Sequence, residues 1–145
     1  MILPSIPYRS TTLPDHAQPC HVRIFNLTWS ILFVLFAALQ LNDPDPWVWI
    51  PLYLLAAGLC CYRFAGKAKP GLERTAILIY GIYALFLMFA RDGVLDWFEA
   101  HNAENLVQTM KATKPWIENT REFGGLAIMV VVLSVNLIRD RKKGD

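Results

Sequence analysis

Residues 22–41 read VRIFNLTWSILFVLFAALQL, and Asn42-Asp43-Pro44-Asp45-Pro46 follows at once. An α-helix rises 1.5 Å per residue and the hydrocarbon core of a bilayer is about 30 Å thick, so about 20 apolar residues make a span. The first stretch meets that length, with only Arg23 and a few small polar residues interrupting it. The five residues after it read as a tight connection between two helices. Asn42 suits the end of the first helix. Pro44 disfavours helical geometry at Asp43. Asp45 followed by Pro46 is a helix start, because Asp caps free backbone N–H groups and Pro is tolerated at the first helical position. A second apolar run goes from Trp47 to about Ala65, a third from Leu72 to Ala90, and a fourth from Gly124 to Ile138 that extends back to Trp116. The expected fold is all-α: an integral membrane four-helix bundle with spans at about 22–41, 47–65, 72–90 and 116–138.

Composition agrees with a membrane protein. Hydrophobic residues make up 54% of the 145 and the mean hydropathy is +0.32, too apolar for a small soluble domain that needs a polar surface. The net charge of +2 gives no reason to expect nucleic acid. Cys20, Cys60 and Cys61 have no spacing that suggests a disulfide framework or zinc, and Cys60 and Cys61 read as buried apolar thiols. Residues 1–20 carry four prolines among small polar groups and read as an irregular tail. The span domain covers 21–139, and 140–145 is a basic tail. Leu32–Ala38 resembles a signal-peptide core, but the run is long and its cleavage pattern poor, so an uncleaved anchor is expected.

Lys and Arg set the orientation. Arg63, Lys67, Lys69 and Arg74 surround the second turn, Arg139, Arg141, Lys142 and Lys143 follow the last span, and Arg9 and Arg23 precede the first. With an even number of spans, all three groups fall on one side. Both termini are therefore expected in the cytoplasm, in a plasma or inner membrane. The first turn and the segment from Arg91 to about Pro115 then face outward. In that segment Val94, Leu95, Trp97, Phe98, Leu106, Val107 and Met110 alternate with Asp96, Glu99, His101, Glu104 and Lys111, which suggests an additional amphipathic helix on the outer surface.

Two charged clusters fall at that outer end. One is the first turn. The other is Glu118, Arg121 and Glu122, which share one helical face by their i, i+3, i+4 spacing. Glu122 precedes Arg139 by 17 residues, about 25 Å of helix, so it sits just inside the outer boundary. Ionisable groups at that depth pair with one another or serve a function. The candidate ligand or ion-binding residues are Asn42, Asp43, Asp45, Glu118, Arg121 and Glu122, with Arg91, Asp92, Trp49 and Tyr53 in support. Asp43, Asp45, Glu118 and Glu122 are hard oxygen donors that suit a divalent cation. The bland alternatives are a helix connection in the first turn and a self-neutralising network in the second cluster. An aromatic belt likewise accounts for Trp47, Trp49, Tyr53, Trp97 and Trp116, with an aromatic-lined pocket as the sharper reading. His101 and Glu104 have ligating i, i+3 spacing but no partner motif. Glu73 reads as a first-turn acid favoured by the helix dipole. Asn26 and Asn136 are expected to hydrogen-bond between helices, while Gly58, Gly81, Gly124 and Gly125 allow close packing. No phosphate loop, nucleophile elbow or haem-attachment pattern is present.

The run Leu39-Gln40-Leu41-Asn42-Asp43-Pro44-Asp45-Pro46, with Trp49 and Tyr53, resembles the transmembrane protein 220 family, as does the element Glu118-x-x-Arg121-Glu122-x-x-Gly125. The resemblance extends from Phe25 to Ile138. It implies a small four-helix membrane protein and no particular activity. The sequence thus favours a non-enzymatic binding or accessory protein with a charged outer site. Its partners would be the lipid bilayer and a membrane-protein partner or second copy. The alternative is an integral-membrane enzyme using the outer carboxylates as metal ligands or general acid/base.

Overall fold

A computed structural model describes residues 18–90, 93–99 and 115–144. Helix α1 is Cys20–Leu39, α2 Pro46–Phe64, α3 Pro70–Phe89, α4 Val94–Glu99 and α5 Pro115–Gly144. Four of these, α1, α2, α3 and α5, are long and apolar enough to cross a membrane, and every regular element among the described residues is helical. The chain is a four-helix membrane bundle.

Local chemistry sets the helix ends. The tail of α1 tightens into a 3₁₀ turn over Gln40–Asn42, and Asp43, which precedes Pro44, is extended at φ −77° and ψ 159°. Both α2 and α3 open on a proline, where the missing N–H costs nothing. At the other end of α2, Gly66 takes φ +74°. Its N–H donates to the Arg63 carbonyl at 3.0 Å and that of Lys67 to Tyr62 at 2.9 Å, the paired closure of a Schellman cap that favours glycine.

Helix α1 lies along α2, and α3 along α5. Between them sits a core that includes Phe33, Trp49, Tyr53, Cys60, Tyr80, Leu126 and Met129. Polar contacts join the pairs where lipid would leave them unsatisfied. The fully buried Asn26 and Asn136 exchange amide hydrogen bonds, one at 2.8 Å and one at 3.2 Å. The Tyr80 hydroxyl donates to the Leu52 carbonyl at 2.9 Å. At the end that holds the start of α1, Arg63 joins three helices. Its Nε donates to Glu73 Oε1 at 2.9 Å, one guanidinium nitrogen to Glu73 Oε2 at 2.5 Å, and the other to Asp140 at 2.7 Å. Arg23 lies over the Phe64 ring and Arg139 over Phe25, so α1, α2 and α5 meet at this basic end. The α1–α2 turn and the start of α5 lie at the opposite end.

The described part of the expected surface helix is α4, six residues that pack on α5 and α3. His101, Glu104, Leu106, Val107, Met110 and Lys111 lie outside the described residues, as do Arg91 and Asp92.

Candidate functional site

The site is built from the first turn of α2 and the first two turns of α5. Asp45 occupies the N-cap position of α2, yet its side chain makes no capping hydrogen bond. This corrects the sequence expectation for that carboxylate. Instead Asp45 is turned to α5, where ligand oxygens of Asp45, Glu118 and Glu122 all lie within 4.8 Å of one another. One Asp45 oxygen, Oδ1, is buried with no hydrogen-bond partner. The i, i+4 spacing of Glu118 and Glu122 puts both on the α5 face that meets α2.

The next two turns of α2 carry the support. Trp49, four residues after Asp45, is fully buried and stacks on Tyr83 at 5.5 Å between ring centroids. Its indole N–H is turned towards Glu122 without closing a hydrogen bond. Tyr53, another turn on, packs on Phe36 and Phe33, and its hydroxyl lies against Gly125, where any Cβ would collide with it. Trp49 and Tyr53 therefore belong to the interior, because they share a face with Asp45. Among the described side chains of that aromatic set, only Trp47, 72% exposed, has the outward placement expected of a belt residue. Nothing is described of the Trp97 and Trp116 side chains.

Beside the carboxylates opens a cleft of about 150 Å³ lined by Phe36, Leu39, Gln40, Asp43, Tyr53, Glu118, Arg121 and Glu122. Partial burial raises the Asp43 carboxyl above its ordinary value of 3.8. The nearby positive charge of Arg121 opposes that rise and Asp45 adds to it. Asn42 is exposed and is not among the cleft's lining residues, so the structure does not bring it to the others. Gln40 does line the cleft and was not among the sequence candidates. Its signal was its place in the motif, two residues before Asn42.

Three carboxylates this close repel one another. At 4.8 Å and an effective dielectric of 20, each ionised pair costs roughly 3 kcal/mol. A cation removes that penalty. Oxygens on one Ca²⁺ bind at 2.3–2.6 Å and so lie up to about 5 Å apart, which matches the spread here; Mg²⁺, with bonds near 2.0–2.1 Å, requires a tighter set.

The family model described as transmembrane family 220, helix, matches residues 32–138. The chain belongs to this family. Both charged motifs lie within the stretch matched to transmembrane family 220. They touch in the fold: Tyr53 of the first rests on Gly125 of the second, and Asp45 of the first faces Glu118 and Glu122 of the second. No curated protein and no solved structure matches the chain.

Proposed function

We propose that this protein is a non-enzymatic cation-binding membrane protein whose site is formed by Asp45, Glu118 and Glu122. The observation that carries the reading is Asp45. It stands where a capping residue stands, does not cap, and keeps a buried, unpartnered oxygen beside two further carboxylates. An unsatisfied buried acceptor costs about 1–3 kcal/mol, and a bound cation would recover that loss. Trp49, aimed at Glu122, would steady the ligating carboxylate as outer-shell donors do at metal sites. Asp43 and Arg121 line the open side. Calcium, or another divalent ion of similar size, suits the donor set best.

Thermal unfolding of the detergent-purified protein tests this. Added Ca²⁺ should raise the melting temperature, and Glu122→Gln should abolish the rise. No shift with Ca²⁺, Mg²⁺, Mn²⁺ or Zn²⁺ would leave a self-neutralising network as the better account. The cleft supports a second reading, in which the held cation acts on a small polar substrate seated against Gln40 and Arg121. Turnover dependent on added metal and lost in Glu122→Gln would favour it. We further propose that both termini face the cytoplasm of a plasma or inner membrane, on the Lys and Arg distribution.

A further inference from the structure

Where α3 packs against α5, the outward face of the bundle carries a long furrow. Towards the basic end it is walled by Arg74, Ile77, Leu78, Ser134, Leu137 and Ile138 and encloses about 430 Å³. Ile77 and Leu78 also belong to a second stretch of about 550 Å³, which runs on past Gly81 to Met88 on α3 and past Ala127 to Phe123 on α5. The two stretches adjoin at Ile77 and Leu78, so they lie end to end along the same helix pair. From Arg74 to Met88 the furrow follows 14 residues, about 21 Å of helix, more than half of the roughly 30 Å hydrocarbon core. Its floor is recessed because Gly81, Ala84 and Ala127 are small.

The furrow is amphiphilic along its length. An exposed cation, Arg74, stands at one mouth and the rest is apolar apart from Ser134. Lys67 and Lys69 lie in the neighbouring turn, while Glu73 and Asp140, the acids of this end among the described residues, are engaged by Arg63. Basic pockets between membrane helices take anionic headgroups. We propose that the furrow holds one phospholipid with an anionic headgroup, its phosphate at Arg74 and an acyl chain along Leu78, Gly81 and Leu85. A second copy of the chain suits it less well. A two-fold contact between parallel copies puts the same patch on both sides, which would set Arg74 against Arg74, with the described acids nearby, Glu73 and Asp140, already held by Arg63. This site is independent of the carboxylate cluster.

Spin-labelled lipids test the proposal on the full chain reconstituted in phosphatidylcholine vesicles, with chelator present to silence the cation site. Spin-labelled phosphatidylglycerol should associate about fivefold more strongly than spin-labelled phosphatidylcholine, the contribution of one basic residue at an anionic surface. Arg74→Gln should bring the ratio close to one. So should Gly81→Leu, which fills the furrow and leaves Arg74 in place. A Cβ built at Gly81 meets nothing within 4 Å, and leucine favours helix over glycine, so that variant should fold. Equal association of the two lipids with the wild type overturns the proposal. So does a preference that survives Gly81→Leu, since charge alone would then explain it. Disulfide dimers through Val131→Cys would show a second copy in the furrow and overturn it equally.

Discussion

Several side chains in this bundle act through named neighbours, which makes them testable in pairs. Arg63 is 1% exposed and Glu73 fully buried. Removing one member of such a pair leaves the other charge unmatched and costs about 3–5 kcal/mol. Arg63→Ala should therefore lower the melting temperature sharply, and Arg63→Met with Glu73→Leu should recover much of the loss. Asp140→Ala, at a carboxylate 36% exposed, should cost far less, about 1 kcal/mol or below. Gly125 offers a second cycle. Gly125→Ala drives a methyl into the Tyr53 hydroxyl, and overpacking of this kind costs about 1–3 kcal/mol. In a Tyr53→Phe background the same change should be milder; strict additivity in the melting temperatures would show that the two positions do not meet. Asp43 predicts a pH effect. Burial raises its carboxyl above 3.8, so the folded state holds the proton more tightly than the unfolded chain. Stability from this group is present at low pH and is lost as pH rises from near 3.8 through the raised value. Metal-free Asp43→Asn should then be at least as stable as the wild type at neutral pH, and its advantage should shrink as pH falls towards 4. An advantage that grew on acidification would contradict the shift.

At the scale of the element, the start of α2 shows how far sequence reading reaches. Pro44, Pro46 and the apolar runs around them mark the turn and the helix start, because proline chemistry is local. For the Asp45 carboxylate the sequence left two roles open, cap and ligand. Capping and ligation ask for the same residue type at the same place, and only the position of α5 separates them. Trp49 and Tyr53 pose the same difficulty: a boundary depth suits a belt, while the i+4 and i+8 spacing from Asp45 turns both inwards. Arg63 and Glu73 read as ordinary charges beside a turn, although a short connection between antiparallel helices brings the last turn of α2 against the first of α3. Asn26 and Asn136 were legible as interhelical groups but not as each other's partner. The two roles open to Asp45 separate under substitution. Serine caps a helix about as well as aspartate. Asp45→Ser removes the repulsion and the unpartnered oxygen of the metal-free protein, so its metal-free melting temperature should be at or above that of the wild type, and the Ca²⁺-dependent rise should be gone. Retention of that rise would return Asp45 to a structural role.

Over the whole molecule, charge is divided between two ends with different chemistry. One end gathers Arg23, Arg63, Lys67, Lys69, Arg74 and Arg139, and there Arg63 matches the buried Glu73 and the partly exposed Asp140. The other gathers Asp43, Asp45, Glu118 and Glu122 around a cleft, with Arg121 beside them. Such a division would serve two tasks: basic groups hold the bundle's orientation against an anionic leaflet, and the carboxylates present hard oxygen ligands to the opposite compartment. The orientation proposed from Lys and Arg is open to direct measurement. In a variant with Cys20, Cys60 and Cys61 replaced, a membrane-impermeant maleimide added to intact cells should label Asn42→Cys. It should label Lys67→Cys only after the membrane is opened. Asn42 is exposed and outside the cleft lining, so its replacement leaves the carboxylates in place. Labelling of Lys67→Cys in sealed cells would invert the bundle and turn the carboxylates to the cytoplasm. The cation they meet would then be held at the low free Ca²⁺ of that compartment, and a weak extracellular-type site of 10⁻⁴–10⁻³ M would stay empty there. Side of exposure and affinity therefore have to agree, and measuring both on the same protein tests the orientation and the site together.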